Sequence, residues 1–150
     1  MHMHMHQRAH RPPSGFTLLE LLVVLVIIGL LAGLVGPRLF SKIDTSKAQT
    51  AQTQVKLLRG ALETMRLDIG RFPLPGEGLA LLNDAPRDER IAGKWKGPYL
   101  NETLPQDPWG QPYQYSVPGA NGQPFALYSL GADGKRGGEG IDADVGQLPP

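Results

Sequence analysis

The chain has 150 residues, of which 19 are Gly and 14 are Pro, and 41% are hydrophobic. The Gly and Pro content is nearly twice the average and excludes an all-helical bundle, whereas the apolar content is high enough for a folded core rather than a disordered chain. The formal net charge is +1, from 15 basic and 14 acidic residues, so no nucleic-acid partner is expected.

Residues 1–15, MHMHMHQRAHRPPSG, are predicted to form a polar leader. The leader carries Arg8 and Arg11 but no acidic residue, and Pro12 and Pro13 prevent a helix there. All 4 histidines of the chain lie in this leader, and the chain has no Cys. Without the leader, the chain has neither imidazole nor thiol for Ser-His-Asp or Cys-His catalysis or for a zinc site.

An apolar run, FTLLELLVVLVIIGLLAGLV, follows the leader at 16–35 and contains a single charged side chain. A helix of this length spans about 30 Å, the hydrocarbon thickness of a bilayer. The run is longer than the apolar stretch of a secretory signal peptide and has no convincing cleavage site at its end. We expect a transmembrane helix, with Arg8 and Arg11 on the cytoplasmic side and the rest of the chain exported.

Glu20 is the charged side chain within the apolar run. A carboxylate at the centre of a membrane helix costs about 2.5–3.5 kcal/mol on insertion scales, so such groups are usually paired. The run contains no Lys, Arg or His. The expected partner is therefore either water at the headgroups, about one turn away, or a positive group on another molecule.

The pattern beyond Pro37 predicts an amphipathic helix over 37–69. Its apolar side chains recur every three or four residues and form one narrow stripe. The stripe consists of Ala51, Val55, Leu58, Leu62, Met65 and Ile69. Because no second helix of this kind exists, the stripe is expected to pack on a sheet. Pro37 is expected to kink or locally unwind one long helix.

Residues 70–150 contain 14 of the 19 Gly and 11 of the 14 Pro, so loops and turns should dominate this part. Two strand-like runs, 111–117 and 125–130, flank a PGANG turn and predict a β-hairpin. A third short strand is expected near the end of the chain, and a helical turn at 79–82. The predicted fold class is α+β.

Three aspartates, Asp133, Asp142 and Asp144, lie in a Gly-rich segment near the end of the chain. Hard oxygen ligands on a turning backbone suit Ca²⁺ better than a transition metal. The spacing is not that of an EF-hand, because Gly134 stands where a second ligand would be needed. From the residues alone, a solvated turn and a calcium loop both remain open.

The stretch GFTLLE, at 15–20, stands between a short basic leader and an unbroken apolar helix. It resembles the class III signal of type IV pilins and pseudopilins. The resemblance implies that a membrane-embedded aspartyl prepilin peptidase cuts between Gly15 and Phe16 and methylates the new N-terminal Phe16. It also makes Phe16 and Glu20 assembly residues, because the new ammonium group would pair with Glu20 of a neighbouring subunit.

Further motifs resemble the major pseudopilins of bacterial type II secretion, the general secretion pathway protein G family. They are DIGRFPLPGEGLALL at 68–82, LPQDPWG at 104–110, YSLGADG at 128–134 and DADVG at 142–146. The resemblance implies a type IV pilin-like α+β fold: a long N-terminal helix, membrane-spanning in its first half, packed on a small antiparallel sheet with a Gly/Asp-rich C-terminal loop. The expected segments are 1–15, the removed leader; 16–36, the transmembrane and filament-core helix; 37–69, the amphipathic helix; and 70–150, the periplasmic β region.

The resemblance also implies a function. A G-type pseudopilin is a structural, non-enzymatic subunit that forms a homo-oligomeric helical filament, the pseudopilus, which helps to export folded proteins across the outer membrane. Its expected location is the bacterial inner membrane, with a single pass and a periplasmic C-terminal region. Its expected partners are the prepilin peptidase, minor pseudopilins and the inner-membrane assembly platform.

G-type pseudopilins hold a structural Ca²⁺ in their C-terminal loop. Carried over, the resemblance assigns Asp133 and Asp144 as ligands first, Asp142 next, and the carbonyl of Leu130 as a backbone ligand. The chain departs from the family at its end, where QLPP follows Gly146 in place of the usual Asn-Trp.

Two other functions remain as alternatives. A type IV pilin of an adhesion, motility or DNA-uptake pilus would share the fold, although adhesion pilins usually close their C-terminal region with a disulfide and this chain has no Cys. A single-pass anchored periplasmic enzyme is the second alternative. The chain has no Gly-x-Ser-x-Gly, Walker or GxGxxG pattern, so only carboxylate chemistry would be available to such an enzyme.

Overall fold

A computed structural model describes residues 15–150 of the chain. The predicted leader, including the Met-His repeat, lies outside the described residues except for Gly15. The helices are α1 (Leu18–Ile69) and α2 (Glu89–Ala92), and the strands are β1 (Gln114–Ser116), β2 (Ala126–Ser129) and β3 (Val145–Gln147). Three 3₁₀ turns are found at Gly78–Leu82, Ala120–Gly122 and Gly140–Asp142. The structure divides into two units, with the boundary between Phe40 and Ser41.

The described part of the first unit is mainly the apolar beginning of α1. Among the described residues, α1 is the one helix that is long and apolar enough to cross a membrane, and none of its most apolar 18-residue window is buried. Pro37 lies inside α1, and the helix is continuous there. Since proline removes only one backbone donor, the hydrogen bonds of the neighbouring turns maintain the helix.

The second unit contains the core. The buried residues of α1 are the six of the predicted stripe, from Ala51 to Ile69, and their helical spacing is thereby confirmed. All of them except Ala51 pack with side chains of the 3₁₀ turn Gly78–Leu82 and of the sheet region, including Leu82, Phe125 and Leu127. The prediction that the stripe packs on a sheet is therefore also confirmed.

The sheet has three antiparallel strands in the order β1-β2-β3. The predicted hairpin, the third strand and the helical turn at 79–82 are all present. The strands are shorter than the sequence runs, and β1 begins only after Pro112, which cannot donate to a ladder. All four residues of the central strand β2 are buried.

An ion pair fixes the turn that follows α1. Arg71 donates to both carboxylate oxygens of Glu77, at 2.7 and 2.9 Å, and Glu77 also accepts from the backbone N–H of Leu74 at 2.9 Å. The hydrogen bonds from Arg71 make the largest contribution to lowering the pKa of Glu77, and the one from the Leu74 N–H lowers it further. The hydrogen bonds with Glu77 raise the pKa of Arg71 in turn. The turn leads directly into the 3₁₀ turn Gly78–Leu82, which contributes side chains to the core.

Candidate functional site

The N-terminus of α1 is closed by a reciprocal pair of hydrogen bonds. The backbone N–H of Thr17 donates to Glu20 Oε2 at 2.9 Å, and the backbone N–H of Glu20 donates to Thr17 Oγ1 at 3.2 Å. The Thr17 hydroxyl also donates to Glu20 Oε2 at 3.2 Å. This arrangement is a capping box, which satisfies two backbone donors that a helix N-terminus would otherwise leave unpaired.

Glu20 thus has a partner within its own chain, which neither of the two predicted alternatives included. The signal was present in the sequence, because Thr17 and Glu20 have the T-x-x-E spacing of a capping box. Both side-chain contacts use Oε2. The cap therefore occupies one oxygen of the carboxylate and does not exclude a second partner from another molecule.

The predicted cleavage position lies just outside the helix. Gly15, Phe16 and Thr17 precede Leu18, the first residue of α1. Phe16 is 86% exposed, and a side-chain carbon placed on Gly15 would meet no atom within 4 Å. Both described residues at the predicted cut, Gly15 and Phe16, are therefore exposed.

The structure places the three predicted aspartates differently. Asp133 is exposed, and its Oδ1 accepts from the backbone N–H of Lys135 at 2.9 Å. Asp144 Oδ2 accepts from the backbone N–H of Gly137 at 3.0 Å, whereas Asp144 Oδ1 is buried and has no hydrogen-bond partner. Asp142 is half-buried and closes the 3₁₀ turn before Asp144.

Residues 130–144, the aspartate loop, fold so that two glycines lie against the backbone of Asp142. Gly131 has a φ of +71°, and a Cβ there would lie 2.7 Å from the carbonyl oxygen of Asp142. Gly138 has a φ of +85°, and its Cβ would lie 2.5 Å from the same oxygen. Only glycine fits at these two positions, because any side chain would meet backbone atoms.

The donor set of the loop fits a calcium ion only through a mixture of carboxylate and carbonyl oxygens. Within residues 15–150, no group of three His, Cys, Asp or Glu side chains lies close enough to hold a metal, so the three aspartates do not form one cluster. Asp144 Oδ1 is the oxygen that fits best, because a buried carboxylate oxygen without a partner is costly and a cation would satisfy it.

A further buried carboxylate belongs to Asp107, which lies in the LPQDPWG motif and was not predicted as a site residue from the sequence. Its side chain is 4% exposed. Asp107 Oδ1 accepts from the backbone N–H groups of Trp109 and Gln111 at 3.0 and 2.8 Å, and Oδ2 accepts from the hydroxyl of Ser129 at 2.5 Å. The Asp-Pro-Trp-Gly sequence signals the turn, but the contact with Ser129 joins residues 22 positions apart and depends on the fold.

Comparisons with known proteins agree with this fold and N-terminus. Residues 11–36 match the family model for the prokaryotic N-terminal methylation motif. The structure is similar to the crystal structure of the major pseudopilin from the type 2 secretion system of enterohaemorrhagic Escherichia coli, with a TM-score of 0.57 and 30% identity over 73% of this chain and 93% of that one. The N-methylation motif, the long helix and the small antiparallel sheet define the class as type IV pilin-like proteins.

Within this class, residues 38–148 match the family model for the type II secretion system protein G. The chain is 47% identical to the type II secretion system core protein G of Pseudomonas aeruginosa over 137 residues, which cover 91% of this chain and 95% of that protein. It is 41% identical to the core protein G of Vibrio cholerae over 91% of this chain and 92% of that protein. The chain belongs to the type II secretion system protein G family.

Membership confirms the resemblance and the fold class predicted from the sequence. The motifs and relatives of the chain are those of a pseudopilin of type II secretion. They do not favour a pilin of adhesion, motility or DNA uptake. The family is one of structural subunits. An N-terminal methylation motif before an apolar helix is consistent with an inner-membrane anchor and with assembly alongside other components of the system.

Proposed function

We propose that the chain is synthesised as a single-pass inner-membrane precursor, cleaved between Gly15 and Phe16, and stacked into a helical periplasmic pseudopilus. The observation that carries this proposal is the exposed apolar helix that follows Phe16, none of whose most apolar window is buried. An exposed apolar surface of this length is unstable in water. Lipid covers it before assembly, and the helices of neighbouring copies cover it in the filament.

Glu20 guides the stacking of the subunits. After cleavage, the α-ammonium group of Phe16 would be a positive charge next to an apolar helix, where an opposite charge is strongly favoured. The capping box supports this role, because it holds Glu20 at the start of α1 through Oε2 and leaves Oε1 available. The partner is the N-methylated Phe16 of an adjacent copy.

Three other partners act on the subunit as it passes from the membrane into the filament. The prepilin peptidase acts on the bond before Phe16, the inner-membrane assembly platform extracts the processed subunit from the bilayer, and minor pseudopilins join the filament. The protein has no catalytic role of its own. The filament helps folded proteins to cross the outer membrane.

The aspartate loop binds a structural calcium ion. Asp144 is the principal carboxylate ligand, Asp133 and Asp142 lie in the same loop, and the carbonyl of Leu130 is the backbone ligand. The ion would supply a positive charge for the unpaired Asp144 Oδ1, and its binding energy would stabilise the folded loop. The proposal is supported by this orphaned oxygen and by the Gly-rich backbone around it.

Mass spectrometry of the protein extracted from membranes tests the proposed processing. The expected mass lacks residues 1–15 and includes one additional methyl group. A Gly15→Ala variant is the control, because a side chain at the residue before the cut should block the peptidase and leave the full-length mass. An unprocessed wild-type chain in cells that contain the peptidase would contradict the proposal.

A further inference from the structure

Asp107 and Ser129 are buried polar residues of the sheet region, with exposures of 4% and 0%. The hydroxyl of Ser129 donates to Asp107 Oδ2 at 2.5 Å and accepts from the backbone N–H of Gly131 at 3.2 Å. Ser129 therefore connects a buried carboxylate with the first glycine of the aspartate loop. A buried polar network of this kind specifies one conformation when all its members are paired.

The carboxylate of Asp107 is held firmly on its other side. The N–H of Asp107 donates to the carbonyl of Gln111 at 2.8 Å, while the N–H groups of Trp109 and Gln111 donate to Asp107 Oδ1. These three hydrogen bonds from backbone N–H groups, two of them to the Asp107 side chain, hold the turn over 107–111 around this carboxylate. Oδ2 is consequently a fixed acceptor directed at the end of β2.

Ser129 lies where the two limbs of the aspartate loop meet. It is the last residue of β2 and pairs with Val145, the residue that follows Asp144. Two residues later, Gly131 packs against the carbonyl oxygens of Asp142 and Ala143. The contacts run without a gap from Asp107, through Ser129 and Gly131, to the backbone just before Asp144.

We infer that Asp107 and Ser129 are positioning residues that keep the aspartate loop in its folded conformation before a cation binds. Neither side chain is a ligand in this scheme. They fix Gly131 and, through it, the backbone that carries Asp144, so that a hard divalent cation meets a preformed set of oxygens. The effect on the cation rests on the calcium site proposed above, but the effect on the loop does not.

Replacing either Asp107 or Ser129 should therefore lower the affinity of the loop for a cation by a measurable amount. Residues that orient metal ligands without touching the metal typically change metal affinity by about 10- to 100-fold when they are replaced. Loss of the Ser129 hydroxyl leaves the N–H of Gly131 and Asp107 Oδ2 without their partner, and the loop should then sample open conformations. Opening of the loop lowers affinity, because the competent state is populated less.

The first test measures amide hydrogen exchange of the full processed protein in detergent with EGTA. Ser129→Ala should accelerate exchange in peptides that span 130–144, and the N–H of Ala132, which donates to the carbonyl of Ile141 at 2.9 Å, is the most direct reporter. Peptides from the buried part of α1 should exchange as in the wild type. The matched control is Ser116→Ala in β1 of the same sheet, because the Ser116 hydroxyl is buried without a partner.

The second test titrates the same proteins with calcium chloride by calorimetry. Ser129→Ala and Asp107→Asn should each weaken calcium binding by about 10-fold or more, and Ser116→Ala should stay within about twofold of the wild type. The double variant of Asp107 and Ser129 should be little weaker than either single variant, because the two side chains act as one unit.

Unchanged exchange over 130–144 in Ser129→Ala would overturn the inference, whatever the calcium data show. If Ser129→Ala exchanges its amide hydrogens over 130–144 faster but binds calcium with the wild-type affinity, the proposal that the folded loop raises calcium affinity is overturned. Faster exchange in a protein whose wild type binds no calcium would support the positioning role and reject the calcium site. The two proposals can therefore fail separately.

Discussion

Glu20 has two roles, one in helix capping and one in the proposed assembly of subunits. Its carboxylate closes the N-terminus of α1 with Thr17, and in the proposed filament it also pairs with the ammonium group of a neighbouring Phe16. The cap requires only a hydrogen-bond acceptor, which a glutamine also supplies. The pairing requires a negative charge. The two roles can therefore be separated by substitution.

We expect Glu20→Gln to be processed normally but to fail in filament assembly, because it keeps the acceptor of the cap and loses the charge. Thr17→Val is the matched control: it removes the hydroxyl of the cap, retains the charge of Glu20 and should still assemble. Processing is read from the mass of the membrane protein, and assembly from filaments sheared from cells and seen by electron microscopy. Normal filaments of Glu20→Gln would reject the charge pairing.

The ion pair between Arg71 and Glu77 makes stability depend on pH. The pKa of Glu77 is lowered in the folded protein, so this contribution is fully present above the ordinary pKa of 4.5 and is lost as the pH falls through the lower folded pKa. The two side chains are 29% and 24% exposed, so the contribution at pH 7 should be at most about 1 kcal/mol.

Glu77→Gln should therefore be less stable than the wild type at pH 7, and the difference should shrink below pH 4.5. Urea unfolding at a series of pH values, followed by circular dichroism, measures the difference. Glu63→Gln is the control, because the pair of Glu63 with Arg59 is more exposed and should contribute less. If the difference in unfolding free energy between the wild type and Glu77→Gln grew as the pH falls, the contribution assigned to the Arg71–Glu77 ion pair would be contradicted.

At the scale of elements, α1 has two kinds of surface. Up to Phe40 its apolar side chains are largely exposed, whereas beyond Ser41 its apolar stripe is buried in the core of the second unit. Burial in this stripe depends on the helical period rather than on hydrophobicity. Leu62 is fully buried, but Leu67 in the same helix is 86% exposed.

We expect Leu62→Ala to lower the free energy of unfolding by about 2–5 kcal/mol, because it removes transfer energy and leaves a cavity. Leu67→Ala makes the same chemical change on the exposed face and should cost no more than about 0.5 kcal/mol. Denaturant unfolding in detergent compares the two variants. Equal losses would show that the face of the helix assigned to the core is incorrect.

At the scale of the whole molecule, the proposed calcium ion would act on global stability through the C-terminal loop. A ligand that binds only the folded state stabilises it by about 2.7 kcal/mol at 100 times its Kd. Because β3 directly follows Asp144, a stabilised loop would also secure the edge of the sheet. Removal of the cation should therefore be visible in the unfolding of the entire second unit.

Calcium should raise the thermal midpoint of the wild type, and EGTA should reverse the increase. The Asp144→Asn variant keeps the shape of the side chain but loses its charge. Its thermal midpoint should therefore be low and should change neither with calcium nor with EGTA. Glu139→Gln is the control from the same loop: Glu139 is exposed, is not an assigned ligand and should leave the response intact. Identical wild-type midpoints with calcium and with EGTA would exclude the ion.

The sequence by itself determined the features that depend on neighbours along the chain. The apolar run, the stripe of α1 and the hairpin around PGANG could be predicted, because helical periodicity and turn chemistry are local properties. The capping box of Thr17 and Glu20 was equally local and could have been found from its spacing. The motifs of the protein G family also lie in short segments of the chain.

Only the tertiary structure decided which polar groups meet across long separations. Asp107 and Ser129 are 22 residues apart, and nothing in their local sequence indicates that one accepts from the other. The same holds for the aspartates: the resemblance ranked Asp133 and Asp144 before Asp142, and only the folded structure shows that the buried oxygen without a partner belongs to Asp144. Burial and hydrogen-bond partners depend on where distant segments meet, and that arrangement exists only in the folded chain.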